Sequence, residues 1–301
     1  MALVLISLIS CELKKNLTLC EEGVSLDNRL NDVCHPKLMS YHFGVDKLSV
    51  PQQTRLLKNL NMDGMIINIE TSTLELLGDY YRTHEVQNEN FQIYDIFTSV
   101  SMDDPVVMEQ QLSTIDAIYK KIACTETMLQ VIFYGSKSNI YSSITRIADI
   151  ANYYDKELVI YPHDKTAIES AEEALTYITT SNKGNVYLSV HLCHELAAGN
   201  GGRIEEVVKN VSPYIKSVSM SGATESEQSD NTLPLWYWAI KPLDMGTYDY
   251  SVFYQSLYDN NYYGPIAIHT WGIYENFGLQ PQDHLPISQQ IISDLTKTIC
   301  E

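Results

Sequence analysis

The sequence is short of positive charge. Its 301 residues contain 20 Lys and Arg, of which only five are Arg, against 38 Asp and Glu, and the formal net charge is −18. This excess of negative charge opposes binding to nucleic acid or to an anionic membrane surface. It also argues against a strongly phosphate-specific pocket, although single lysines could still serve in one. The simplest interpretation is a solvated acidic surface.

Two common binding motifs are also missing. The six cysteines include no CxxC pair, which argues against a structural zinc site. No glycine-rich phosphate turn follows the first predicted strand, where Gly44 stands alone, so no nucleotide cofactor is expected. A Cys20–Cys34 bridge is an open alternative if the protein is exported. Cys193 is interpreted as a small buried residue.

The amino terminus is apolar but too short to span a bilayer as a helix. Residues 8–11 (LISC) resemble the lipobox of bacterial lipoproteins, in which the cysteine is lipidated and becomes the mature amino terminus. The predicted layout is a signal segment at 1–11, a polar tether at 12–36 and a folded domain at 37–301. We expect export to a bacterial cell envelope, in the periplasm or at the surface, with Cys11 as the lipid anchor and only membrane contact.

Apolar runs alternate with helical patterns after residue 36. Three successive predicted strands start at Glu157, Val186 and Ile215, each 29 residues after the last. That interval is one strand–helix unit, and no composition shift divides the chain. The predicted strands are 37–43, 64–70, 91–100, 128–134, 157–163, 186–191, 215–220 and 265–271. The pattern predicts an α/β fold, a single (β/α)8 TIM barrel, rather than an open doubly wound sheet.

Histidines stand where several predicted strands end. The stretch 188–195 (LSVHLCHE) looks like an apolar strand that stops at His191 and His194, and two other strands stop at His163 and His269. A barrel gathers the carboxyl ends of its strands around one cleft, so these side chains should meet. Three imidazoles, from His163, His191 and His269, would favour zinc or a similar divalent transition metal over magnesium. The alternative is that each histidine makes hydrogen bonds or contacts substrate.

Other residues are candidates for the same cleft. Glu70, at the end of the second predicted strand, is the expected catalytic base, and His163 and His194 are the other predicted catalytic residues. The segment 222–238 closes with aromatic rings that could stack on sugar faces or plug the loop. The predicted substrate-binding residues are His42, Ser219, Trp236, Trp238 and Lys241.

Five stretches follow one another in a characteristic order. They are YPH at 161–163, NVYLSVHLCH at 185–194, VSMSGA at 218–223, KPLDMGTYD at 241–249 and YGPIAIHTWGI at 263–273. Together they resemble the sugar phosphate isomerase/epimerase-like proteins with a xylose-isomerase-like TIM barrel, in particular an exported bacterial branch. The resemblance is strong from about Asp155 onward, whereas over the first four strands only the order of elements matches.

The resemblance implies one divalent metal, held by a Glu, an Asp, a His and a second Glu from strands five to eight, and proton transfer next to a sugar carbonyl. This chain departs from that pattern. The strand-five position falls at or beside His163, and His191 replaces the strand-six Asp. His194 is kept, whereas Ser219 replaces the strand-seven His and His269 the strand-eight Glu. No carboxylate of the quartet is clearly kept.

The leading hypothesis is a sugar isomerase or epimerase that acts by proton transfer alpha to a carbonyl on a small-molecule sugar or sugar derivative. One alternative is a lyase that acts on an oxidised sugar by the same proton abstraction. The other is a non-catalytic carbohydrate-binding barrel, which loss of the carboxylates would support and four histidines at strand ends oppose.

Overall fold

The described part of the chain, seen in a computed structural model, is built around eight parallel strands. The structure describes residues 36–69, 91–123, 125–234 and 236–301. The strands pair in chain order, and the last closes against the first. They are β1 (Leu38–Tyr41), β2 (Gly64–Asn68), β3 (Gln92–Ser101), β4 (Met128–Tyr134), β5 (Leu158–Ile160), β6 (Val186–His191), β7 (Ile215–Met220) and β8 (Ile266–Ile268). The predicted (β/α)8 barrel is therefore confirmed.

Helices connect the strands. They are α1 (Val50–Asn59), α2 (Pro105–Ile122), α3 (Ile140–Tyr153), α4 (Ala171–Ser181), α5 (Leu192–Ala197), α6 (Ile204–Val211), α7 (Tyr250–Asp259), α8 (Ile273–Phe277) and α9 (Pro281–Cys300). Asp249 caps α7, because its carboxylate accepts from the Ser251 N–H at 3.1 Å. Across the described ranges, none of these helices combines the length and apolar character that a membrane crossing needs.

Alternation along the strands separates two environments. In β6, Val186, Leu188 and Val190 join the main apolar core of strand and helix side chains. Ser189 and His191 take the intervening positions and bond to residues of neighbouring strands. This period of two follows from the pleat of a strand. Polar side chains in β6 are therefore directed into the barrel interior, beneath the ends of the strands.

The stretch 188–195 is not one strand that ends at two histidines: only His191 is in the strand, and His194 lies in a helix. The ladder stops at His191, which pairs with Ser219, and α5 begins at Leu192. An extended strand would have placed Cys193 on the opposite side from His194. A helical turn instead keeps neighbouring residues close, and both side chains are buried beside the site. The expectation that Cys193 is a small buried residue is confirmed.

The segment after β5 is also more irregular than predicted. The helix that follows, α4, begins only at Ala171, because Ser170 caps it by accepting from the Glu173 N–H at 3.2 Å. Before it, the His163 N–H donates to the Ile168 carbonyl at 2.9 Å and closes a tight turn. His163 is thereby held just beyond the end of β5 rather than within the strand.

The amino-terminal expectations lie outside the described residues. These are the signal segment at 1–11, most of the tether at 12–36, the anchor Cys11 and the Cys20–Cys34 bridge. Among the described cysteines, Cys193 is a free thiol and Cys300 is disulfide-bonded. The division into segment, tether and barrel stays a prediction.

Candidate active site

A pocket of about 560 Å³ opens at the carboxyl ends of the strands. Its position is the one at which TIM barrels carry their chemistry. Among the described residues that line it, none is Asp, Glu, Lys or Arg. The lining is imidazole, aromatic, aliphatic and uncharged polar, and its ring-bearing members are Phe43, Phe97, Tyr134, Tyr161, His163, His194, Trp236, His269 and Trp271. The strand ends therefore bring three of the predicted histidines to one cleft.

Three different elements position these histidines. His163 opens the turn after β5, His194 lies in α5 directly after β6, and His269 follows β8. The ring centroids of His163 and His194 are 4.1 Å apart. Trp236 stands perpendicular to His194 at 4.9 Å, and its φ of 67° is uncommon for a residue with a side chain. This strained backbone position is what brings the indole against the imidazole.

Hydrogen bonds to the backbone assign the tautomers of the three neutral rings. Nδ1 of His163 donates to the Asp164 carbonyl at 2.9 Å, so Nε2 of His163 carries the lone pair. Nδ1 of His194 accepts from the Asp164 N–H at 3.4 Å, so its proton lies on Nε2. Nδ1 of His269 accepts from the Trp271 N–H, also at 3.4 Å, with the same consequence.

Burial keeps the three rings uncharged. Desolvation lowers the pKa of His163, and it holds the pKa of His194 well below the ordinary value. It lowers the pKa of His269 to about 3. The neighbouring imidazoles act in the same direction on His194 and His269, because a second positive charge would be repelled. At neutral pH the pocket therefore presents neutral imidazoles rather than cations.

One group among the described residues has the geometry to approach a metal ion. Ligand atoms of Cys193, His194 and His269 all lie within 4.8 Å of one another, and sulfur with nitrogen suits zinc. Coordination needs a lone pair on each ligand atom. Both imidazoles carry a proton on Nε2, and burial raises the pKa of the Cys193 thiol. In this hydrogen-bonding state, a metal bound through Nε2 of both rings would require each imidazole to change tautomer and the thiol to lose its proton.

The predicted metal set of His163, His191 and His269 stays a prediction. His191 is buried below the pocket, and both of its ring nitrogens already have partners. Nδ1 lies 2.7 Å from the Ser219 hydroxyl, and Nε2 lies 2.7 Å from the Ser189 hydroxyl. A metal on His191 would have to displace one of these bonds.

A buried polar network, which we call the floor network, holds His191 from below. The Asp95 carboxylate accepts from the Ser217 hydroxyl at 2.6 Å and from the Gln130 side-chain amide at 2.8 Å. The Gln130 oxygen in turn lies 3.2 Å from Nε2 of His191. Burial raises the pKa of Asp95 to about 7. Tyr161, which lines the pocket, stacks on His191 with the ring centroids 3.8 Å apart. Through His191, the floor network therefore supports the Tyr161 ring.

Of the five predicted substrate-binding residues, Trp236 lines the described pocket wall. Ser219 is bonded to His191 instead. Lys241 is buried, and its Nζ lies 2.6 Å from the Glu227 carboxylate, which ties down the long loop after β7. These contacts give Ser219 and Lys241 structural partners, and their roles toward substrate stay predictions.

The other two predicted contacts lie near the pocket without forming its described lining. Nε2 of the half-buried His42 accepts from the Asn68 N–H at 3.2 Å, and Asn68 itself lines the pocket. Trp238 packs, partly buried, against the apolar core. Glu70, the predicted base, lies outside the described residues. The predictions for these three residues are therefore untested.

The sequence interpretation missed the floor network and the chemistry of Asp164. A carboxylate at Asp95 within the apolar run 91–100 was a usable signal, because a buried strand seldom carries a charge without a partner. Asp164 had no signal, because its backbone and not its side chain sets the two tautomers.

Comparison with known proteins identifies the fold. No protein-family model and no curated protein matches the sequence. Among solved structures, a xylose isomerase domain protein from Planctomyces limnophilus is similar at TM-score 0.67 and 15% identity, over 87% of this chain and 97% of that one. The 3-keto-D-glucoside 4-epimerase YcjR from E. coli is similar at TM-score 0.67 and 13% identity, over 87% and 100%. The IOLI protein, with a zinc atom bound, is similar at 0.66 and 14%, over 87% and 99%.

The xylose-isomerase-like TIM barrel expected from the sequence motifs is therefore confirmed. Each of these structures is nearly fully covered, so the likeness extends over the whole barrel. At identities of 13% to 15% the likeness shows the fold and leaves the reaction to be argued from the site.

Proposed function

We propose that this chain is a carbohydrate-modifying enzyme of the isomerase or epimerase type, which moves a proton alpha to a carbonyl. The observation that carries the proposal is the convergence of three neutral imidazoles, His163, His194 and His269, on a pocket at the strand ends. Neutral imidazole is suited to proton transfer near neutral pH. The epimerase named among the similar structures supports the same class of reaction.

The pocket wall favours an uncharged sugar. Aromatic rings such as Phe43 and Trp271 offer apolar faces for sugar C–H groups, and Asn68 and Ser99 offer polar atoms for hydroxyls. The pocket volume, about 560 Å³, is ample for a mono- or disaccharide-sized ligand. With no Lys or Arg among the described lining residues, a phosphate would find no fixed positive charge there.

His163 is the proposed base. Its Nε2 carries the lone pair, while the bond from Nδ1 to the Asp164 carbonyl fixes the ring and stabilises the positive charge that forms when Nε2 gains a proton. His194 lies beside it with a buried Nε2 that has no partner among the described groups. Glu70 stays a proposed second base. We also retain the proposal of export with a lipid anchor at Cys11, which rests on the lipobox-like residues 8–11.

Proton exchange tests the proposal. The full-length chain would be incubated in D₂O with a panel of unphosphorylated ketoses, aldoses and 3-keto-sugars, and the proton next to each carbonyl followed by ¹H NMR. We expect at least one sugar to lose that signal with wild-type protein, and a His163→Gln variant to slow the loss by about 100-fold or more. No exchange in any sugar would contradict the proposal.

A carbohydrate-binding barrel without catalysis is the second candidate. It is favoured by the lack of carboxylates in the described pocket lining. Two of the three tryptophans line the pocket, so sugar binding should change the intrinsic fluorescence in either case. A fluorescence change without deuterium uptake would support binding alone, and the lyase alternative would instead release a leaving group during the incubation.

A further inference from the structure

Nδ1 faces a backbone partner in all three pocket histidines, but its role in the hydrogen bond differs. His163 uses Nδ1 as a donor, whereas His194 and His269 use Nδ1 as an acceptor. A metal-binding histidine normally donates its second ring nitrogen to an oxygen, which leaves the ligating nitrogen unprotonated. Only His163 has that arrangement. The other two rings are set to donate from Nε2.

We infer that the pocket stabilises the oxyanion of the reaction with the Nε2–H groups of His194 and His269, in place of a divalent metal. This inference rests on the proposed function, and it adds a role for two residues in the same site. The Nε2 atom of His194 is the strongest indication. It is buried in a residue only 2% exposed, and no described group accepts its proton.

An unpaired buried N–H is costly, so its persistence at a pocket suggests an acceptor supplied by the ligand. A substrate oxygen that becomes negative would be such an acceptor, and donors aimed at it contribute more as charge develops. One ring nitrogen of His194 and one of His269 lie within 4.8 Å of each other, so the two rings are close neighbours at the pocket.

The proton balance of the step is simple. The C–H bond next to the carbonyl breaks, and Nε2 of His163 gains the proton. The electron pair of that bond forms the carbon–carbon double bond, and the carbonyl oxygen becomes the enediolate oxygen that accepts from His194 and His269. The proton then passes from His163 to the former carbonyl carbon while the neighbouring hydroxyl proton passes to the enediolate oxygen, which gives the isomer and restores the neutral ring. No oxidant, reductant or metal enters this balance.

Tautomers are measured directly by long-range ¹H–¹⁵N correlation on full-length protein labelled with ¹⁵N-histidine. His163→Gln, His194→Gln and His269→Gln would each remove one ring and so assign the signals. Triple-resonance assignment of the wild type would replace any variant that does not fold. We expect the Nδ1–H form at His163 and the Nε2–H form at His194 and His269. An Nδ1–H form at both His194 and His269 would overturn the inference, because it would free their Nε2 atoms for a metal.

Zinc titration provides a second readout, independent of activity. We expect one equivalent of zinc to leave the ring signals of His194 and His269 unchanged, in wild type and in Cys193→Ser alike. Zinc-induced shifts of both rings that disappear in Cys193→Ser would instead identify a Cys–His–His metal site and overturn the inference.

The inference and the proposed function fail in different ways. Sugar proton exchange that requires zinc would contradict the donor role and leave the isomerase or epimerase proposal standing. The expected tautomers in a protein that exchanges no sugar proton would contradict the proposed function, and the oxyanion role would fall with it. Among active-site variants, Gln at 194 and 269 keeps an N–H donor, so it should retain more exchange activity than Ala, by about tenfold or more.

Discussion

The imidazoles of His163 and His194 lie 4.1 Å apart and carry their protons on opposite nitrogens. One residue, Asp164, causes the difference, since its carbonyl accepts from the first ring and its N–H donates to the second. Backbone groups of Asp164 alone therefore place a proton acceptor and a proton donor side by side.

The rate of proton exchange should not fall near pH 6.5, where an ordinary histidine base becomes protonated. The base must be neutral, and burial lowers the pKa of His163 below its ordinary value of about 6.5. We expect kcat/KM for exchange to stay level from pH 7 through pH 6.5 and to fall only at lower pH. The profile would be measured by NMR in buffers of constant ionic strength. An acid limb at or above pH 6.5 would rule out a buried neutral imidazole as the base.

Stability should depend on pH through the buried histidines. The pKa of His269 falls to about 3 in the folded chain, so below about pH 6.5 only the unfolded chain takes up this proton. Its contribution is present above pH 6.5 and is lost as pH falls toward 3. His269→Gln should therefore flatten the fall in unfolding free energy between pH 6 and 4.5 by up to about 1.4 kcal/mol per pH unit.

Asp95 provides the matched control with the opposite sign. Its pKa is raised to about 7, so the folded chain takes up this proton first, and its contribution is lost as pH rises toward 7. Asp95→Asn should steepen the fall of stability at acid pH, whereas His269→Gln flattens it. Urea denaturation at a series of pH values measures both slopes. Slopes that change in the same direction in the two variants would refute this assignment.

Gln130, which joins Asp95 to His191 in the floor network, should stabilise the folded chain. Gln130→Met removes the bond to Asp95 at 2.8 Å and the contact with His191 at 3.2 Å, and both partners are buried. We expect a loss of about 0.5–1.5 kcal/mol per bond removed, because Asp95 keeps the Ser217 hydroxyl and His191 keeps the Ser189 hydroxyl as partners. The exposed Gln282→Met in α9 serves as the control and should change stability by less than about 0.5 kcal/mol. Equal urea midpoints for the two variants would show that the network contributes nothing.

Removing Glu227 and removing Lys241 should destabilise the folded chain to different extents. The Lys241 side chain is 7% exposed and that of Glu227 32%, so only the lysine is left buried without compensation. Glu227→Gln should therefore destabilise the chain more than Lys241→Met in thermal unfolding. If Lys241 only holds the loop, Lys241→Met should leave sugar affinity unchanged. Loss of affinity with unchanged stability would instead restore its predicted role in substrate binding.

The fold was predictable because the apolar pattern marks the strands directly. The bounds of β4, β6 and β7 equal those expected from sequence. The start of α4 could also be predicted, because Ser170 and Glu173 are spaced as the first and last residues of a capping box. The irregular turn that holds His163 was not, because its bonds depend on the local backbone path.

The site was predictable only in part. Strand ends identified three histidines that the pocket brings together, because barrel topology alone gathers those positions. The network below them joins Asp95 to Ser217, 122 residues later, and no local pattern encodes that contact. The tautomers depend on hydrogen bonds of the Asp164 and Trp271 backbones, which exist only in the folded chain.

The most direct test of the account is deuterium uptake by a reactive sugar after metal removal. Full-length wild type and His163→Gln would be treated with a chelator, desalted and assayed side by side, with and without added zinc. The account predicts that chelation leaves the wild-type rate unchanged and that His163→Gln is slower by about 100-fold or more. A wild-type rate that is abolished by chelation and restored by zinc would contradict proton transfer by histidines alone.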